Sequence, residues 1–107
     1  MPVNQDFLEF VLEHMDGVEE LNARSMFGGY GIFQDDKMFA IVANDTLYLK
    51  ADNRNRMDFE RAGMEPFRPY KDQSRVISYY ELPADLLENP EAFAPWMGKA
   101  LAAAKPR

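Results

Sequence analysis

The chain has 107 residues, 47% hydrophobic and 13% aromatic, which fits one domain with a real core and leaves no room for two. It holds no cysteine, which excludes disulfides, thiolate chemistry and cysteine-based zinc sites. The net charge of −6 is uneven: residues 1–22 carry six acids and no Lys or Arg, a face that repels phosphate backbones.

Met1 to Asp6 lacks the basic and apolar runs of a signal peptide. No stretch approaches the roughly 18 apolar residues of a membrane span, so a cytoplasmic chain without membrane contact is expected.

The elements follow in chain order. Phe7, Leu8, Val11, Leu12 and Met15 form one apolar helix stripe, with Glu9, Glu13 and Asp16 facing water. Asn4 or Asp6 is suited to cap its start, and Gly17 stands where it should stop. From Ala23 to Lys50 the pattern is strands. Gln34–Lys37 is a polar turn between Tyr30–Phe33 and Met38–Ala43. Asn44-Asp45 is a two-residue hairpin turn before Thr46–Lys50. Met38–Ala43 is almost continuously apolar, as in a central strand buried on both faces.

Asp52 or Asn53 is expected to cap a second helix running to about Ala62 and stopped by Gly63. Its few apolar positions place it on the surface. Pro66–Tyr70 reads as extended chain at a sheet edge, and Val76–Glu81 as another strand ended by Pro83. Asn89-Pro90 is a cap followed by a first-turn proline. Phe93, Trp96, Met97, Ala100, Leu101 and Ala104 then give the cleanest helical stripe. Pro95 should either start that helix or kink it. The order α-β-β-β-α-β-β-α has short strand links, which implies a five-stranded, mainly antiparallel sheet with packed helices, an α+β fold.

Arg24-Ser25-Met26-Phe27-Gly28-Gly29-Tyr30-Gly31-Ile32-Phe33 places three glycines among large apolar residues. Glycines in a strand region mark a bend, a bulge or a close backbone approach. The run fits neither a dinucleotide fingerprint nor a P-loop, and a strand follows it where those motifs need a helix. Gly29→Val should destabilise the domain if Gly29 needs a positive φ. A small-molecule site beneath this bend is a further reading.

No catalytic constellation stands out. The one histidine, His14, reads as a surface residue beside carboxylates, and no second nitrogen ligand exists for a two-histidine metal site. Asp35 and Asp36 read as turn formers. Ser25, Ser74 and Ser78 lack a nucleophile-elbow setting. No cofactor is expected. Arg54, Arg56, Arg61, Arg68 and Arg75 mix with Phe59, Phe67 and Tyr70, a pattern that can hold nucleic acid. Acids in the same span make a solvated, ion-paired face the favoured reading. Tyr48, Tyr70 and one of Tyr79 or Tyr80 would form a protein-contact patch on an open sheet face.

The ordered set of signals resembles a known family. Arg24-x-Met26-Phe27-Gly28-Gly29-Tyr30-Gly31-Ile32-Phe33 is followed by Met38-Phe39-Ala40, Leu47-Tyr48-Leu49-Lys50 and Phe59-x-x-x-Gly63. Then come Pro66-Phe67, Ser78-Tyr79-Tyr80-Glu81-x-Pro83, Trp96 and Ala100-Leu101-Ala102-Ala103-Ala104. Residues 1–107 resemble the N-terminal domain of the TfoX/Sxy family of competence regulators, as a stand-alone relative. The resemblance implies a fold like that of type III secretion chaperones. It implies a bacterial regulator of DNA-uptake genes that works with the cyclic-AMP receptor protein at promoters. It brings no catalytic residues. In full regulators a helical C-terminal domain follows.

The reading that results is a non-enzymatic regulatory domain acting by protein–protein interaction, its partner a transcription regulator. Direct nucleic-acid binding through residues 50–75 is the alternative. Homodimerisation through an open sheet edge is a further expectation.

Overall fold

The structure is a computed structural model and describes residues 5–15, 17–26, 29–43, 45–67 and 78–105. It is α+β. Helix α1 spans Gln5–His14, and strands β1 (Leu21–Met26), β2 (Gly29–Gln34), β3 (Lys37–Ala43) and β4 (Thr46–Lys50) follow. Helix α2 (Arg56–Arg61), strand β5 (Tyr79–Glu81), and helices α3 (Ala84–Leu87) and α4 (Pro90–Ala104) complete the order. The five strands lie in sequence order, each antiparallel to its neighbour.

Strand number and pairing match expectation, but the distribution does not. Four strands precede α2, where three were expected. Leu21–Met26 is a separate strand because it pairs from end to end with β2, Leu21 opposite Gln34 and Met26 opposite Gly29. Beyond α2, Pro66 makes one isolated bridge to Tyr80, and β5 is only Tyr79–Glu81. The rest of the expected strands at 66–70 and 76–81, residues 68–77, lies outside the described residues.

The core sits between the helices and one sheet face. Leu8 and Val11 of α1, Phe59 of α2, and Phe93 and Ala100 of α4 join Ile32, Ala40, Val42, Leu47 and Leu49 in one buried cluster. Helix α4 lies across β3 and β4. A bulge adds a residue to this face. Ile32 pairs with Ala40 but Phe33 pairs with Met38, so Phe39 is the extra residue of β3. Adjacent strand residues normally point to opposite faces. The bulge lets both Phe39 and Ala40 join the helix-side cluster, where both are fully buried. Ile41 and Ala43 belong to a second cluster with Phe67 and Tyr79. Strand β3 is therefore buried on both faces, as its apolar run predicted.

Local chemistry explains the boundaries. Asp35 and Asp36 have φ of 50° and 64° and connect Gln34 to Lys37, the two-residue hairpin that aspartate tolerates. Gly63, at φ 77°, ends α2 with Gly63 N–H bonded to Glu60 O and Met64 N–H to Phe59 O. Asn89 caps α4, its side chain accepting from Ala92 N–H, with Pro90 next. Pro95 neither starts α4 nor ends it. It lies exposed within the helix, where its missing N–H removes one backbone bond.

Candidate functional site

The glycine-containing run Arg24–Phe33 spans the end of β1 and most of β2, and its described residues are architectural. Gly29 opens β2, beside the β3 backbone. A β-carbon there would overlap the Val42 carbonyl oxygen and lie 3.1 Å from Ala43 Cα. Gly63 is the one glycine with positive φ among the described residues, so the need for glycine at 29 is steric rather than conformational. This corrects the φ-based reason for its sensitivity. Gly31 is covered differently. A β-carbon there would sit 2.6 Å from Met38 Sδ and 2.8 Å from Met26 Sδ. Two flexible thioethers fold over the glycine. Tyr30, on the opposite face, packs on the helix-side core. Arg24 projects outward, bonded to Asp36 at 2.9 Å and lying 4.6 Å from the Phe33 ring centre. Phe27 and Gly28 lie outside the described residues.

Of the expected tyrosine patch, Tyr48 and Tyr79 lie on the same sheet face. Tyr79 is only 6% exposed, and its hydroxyl donates to Met38 O at 2.9 Å. Burial pushes its pKa up to about 12. Tyr80 points to the other face and stacks on Phe59, with ring centres 5.4 Å apart. Tyr48 is half-buried against Phe67 at 4.6 Å. Its pKa is raised by burial and then by the Glu81 carboxylate. Tyr70 lies outside the described residues.

Of the candidate nucleic-acid arginines, Arg54 and Arg56 are engaged by neighbouring groups. Arg54 Nε donates to Asp52 at 2.9 Å, and its terminal nitrogen reaches Ala102 O at 3.0 Å. Its hydrogen bond with Asp52 raises its pKa. Arg56 pairs with Glu60 at 3.6 Å along α2. Arg61 is exposed in the last turn of α2. Arg68 and Arg75 lie outside the described residues. His14 is half-buried, with Nδ1 2.7 Å from Phe10 O and its ring 4.2 Å from the Phe10 ring. Among the described residues no group of three or more His, Asp or Glu is placed to hold a metal. No helix among them is long and apolar enough to cross a membrane.

Sequence reasoning missed Asn55. It is 2% exposed, accepts from Asp52 N–H at 2.7 Å and donates to Lys50 O at 3.0 Å. It thereby closes the loop from β4 into α2, and a polar residue in a polar loop gives no sign of this in one sequence. A cleft was missed as well. Phe7 and Phe10 of α1, Leu47 of β4 and Leu87 of α3 bound a cavity of about 190 Å³ whose other walls include Asp45, Glu81 and Glu88. Its parts come from distant segments, so no local pattern announces it.

The comparisons agree with this fold. The TfoX N-terminal domain matches residues 13–104, from the end of α1 to the end of α4. The chain is 36% identical over 62 residues to the DNA transformation protein TfoX1 of Aliivibrio fischeri, covering 57% of this chain and 30% of that protein. It is 28% identical over 93 residues to the DNA transformation protein TfoX of Haemophilus influenzae, covering 83% of this chain and 43% of that protein. The chain thus spans less than half the length of these curated relatives. Because the family match takes in all five strands and the helix that covers them, the chain belongs to the TfoX N-terminal domain family.

Proposed function

We propose that this chain is a regulatory domain of the DNA-transformation kind, which acts by binding another protein and catalyses no reaction of its own. The observation that carries the reading is the family match over residues 13–104, together with relatives that are named as DNA transformation proteins. The partner is a transcription regulator, and the genes controlled are those of DNA uptake.

Charge supports a protein partner over nucleic acid. The net charge is −6, and Arg54 and Arg56 are each held by a carboxylate of their own segment. A phosphate backbone would have to displace both.

The test is deletion of the gene, with transcript levels and transformation frequency as readouts. Loss of DNA-uptake transcripts, restored by the chain supplied in trans, is the expected result. Capture of the tagged chain should bring a transcription regulator in near-stoichiometric amount. Unchanged transcripts and unchanged transformation in the deletion strain would overturn the reading.

A further inference from the structure

The cleft beside α1 has a floor, a wall and a rim. Leu47 and Leu87 form a buried floor. Phe7 and Phe10 form a half-exposed wall, their rings stacked with centres 6.4 Å apart. The His14 ring backs Phe10 at 4.2 Å, so the wall is preorganised before anything binds. The cavity of about 190 Å³ falls below the roughly 300 Å³ at which small-molecule pockets begin. It suits a single large side chain. The exposed acids Asp45 and Glu88 line it, and among the described residues no Lys or Arg does; Glu81 also borders it but is paired with Tyr48, on the sheet face opposite Leu47. Exposed Glu9 and Glu13 extend the negative charge along α1. An apolar hole within an acidic surround favours an apolar anchor flanked by positive charge.

We propose that this cleft docks a protein segment that inserts one aromatic or leucine side chain and carries Lys or Arg on either side of it. The proposal rests on the protein-binding reading above and names the chemistry of the partner.

The test uses the whole chain and an array of synthetic peptides. Each has Phe, Trp or Leu at its centre, with flanks of arginine and serine. Matched controls carry glutamate in place of arginine, or alanine in place of the anchor. Fluorescence anisotropy should show binding of the arginine peptides and a loss of about tenfold or more for either control. Phe10→Ala also removes core packing, so the rim decides the question. The double variant Asp45→Asn, Glu88→Lys changes two exposed side chains and keeps at position 45, where φ is 56°, a residue that tolerates the left-handed region. It should weaken the arginine peptides about tenfold at an unchanged melting temperature. Equal binding of arginine and glutamate peptides, no binding of any arginine peptide, or full binding by the double variant would each overturn the proposal. The two readings fail separately. If the double variant restores transcripts to a deletion strain as well as the wild type does, the cleft is not the docking site and the regulatory reading stands. If deletion changes no transcript, the regulatory reading falls whatever the peptides do.

Discussion

The β1–β2 hairpin closes on the chain's own atoms, whereas the cleft between α1 and α3 opens outward. In the hairpin, Gly29 faces the Val42 carbonyl, and Gly31 lies under Met26 and Met38. In the cleft, Phe7 and Phe10 stay half-exposed above a buried floor. Both regions are apolar, and they differ in what fills them. A substitution in the hairpin therefore acts through stability, and any effect on function follows from that. On the docking proposal, a substitution at the cleft rim should act on binding and leave the fold alone.

The largest effect should come from Gly29→Val. The new β-carbon meets main chain, which cannot swing aside, so a loss of about 3 kcal/mol is expected, at the upper end of overpacking. Thermal unfolding should show a fall of more than about 10 °C. An unchanged melting temperature would break the claim that the hairpin is closed at this point.

Asn55→Ala comes next. It leaves Lys50 O and Asp52 N–H without their shared partner, at a cost of about 2 kcal/mol. Urea denaturation measures this, and binding of the arginine peptides should persist below the transition. Loss of binding in a folded Asn55→Ala protein would blur the distinction between closed and open regions.

Tyr79→Phe sharpens the comparison through pH. The pKa of Tyr79 is pushed up to about 12 in the fold, against about 10 when unfolded. The unfolded chain therefore loses this proton first as pH rises. The stabilisation is complete below pH 10 and disappears as pH climbs toward 12. The phenylalanine variant should cost about 1 kcal/mol at neutral pH, from the lost bond to Met38 O, and decline less steeply than the wild type between pH 10 and 12. Parallel decline of the two proteins in that window would contradict the burial of this hydroxyl.

Gly31→Ala should cost the least, below about 1 kcal/mol, because the overlapping atoms belong to movable methionine side chains. A loss as large as that of Gly29→Val would mean that the two thioethers are fixed.

Much of this fold was legible in the sequence because its signals are local. The stripe of α1, the Asp35-Asp36 turn, the Asn89-Pro90 cap and the Gly63 stop each depend on neighbouring residues. Strand β1, read from Ala23 on as strand, escaped as a separate strand because Asn22, Arg24 and Ser25 are exposed on an edge strand and leave no apolar alternation to read. The bulge at Phe39 depends on pairing between strands, and α3 is only four residues long, barely one helical turn. The family signature was visible, but the steric reason for Gly29 depends on Val42, which no spacing reveals. The cleft brings together α1, the β3–β4 turn, the end of β5 and α3, and it was not legible at all.

The most direct measurement is the transcript profile of cells carrying Asp45→Asn, Glu88→Lys on the chromosome, with the variant at wild-type abundance, compared with wild-type and deletion cells. The account predicts that the double variant, folded and present, reproduces the deletion profile. A wild-type profile from the double variant would contradict it.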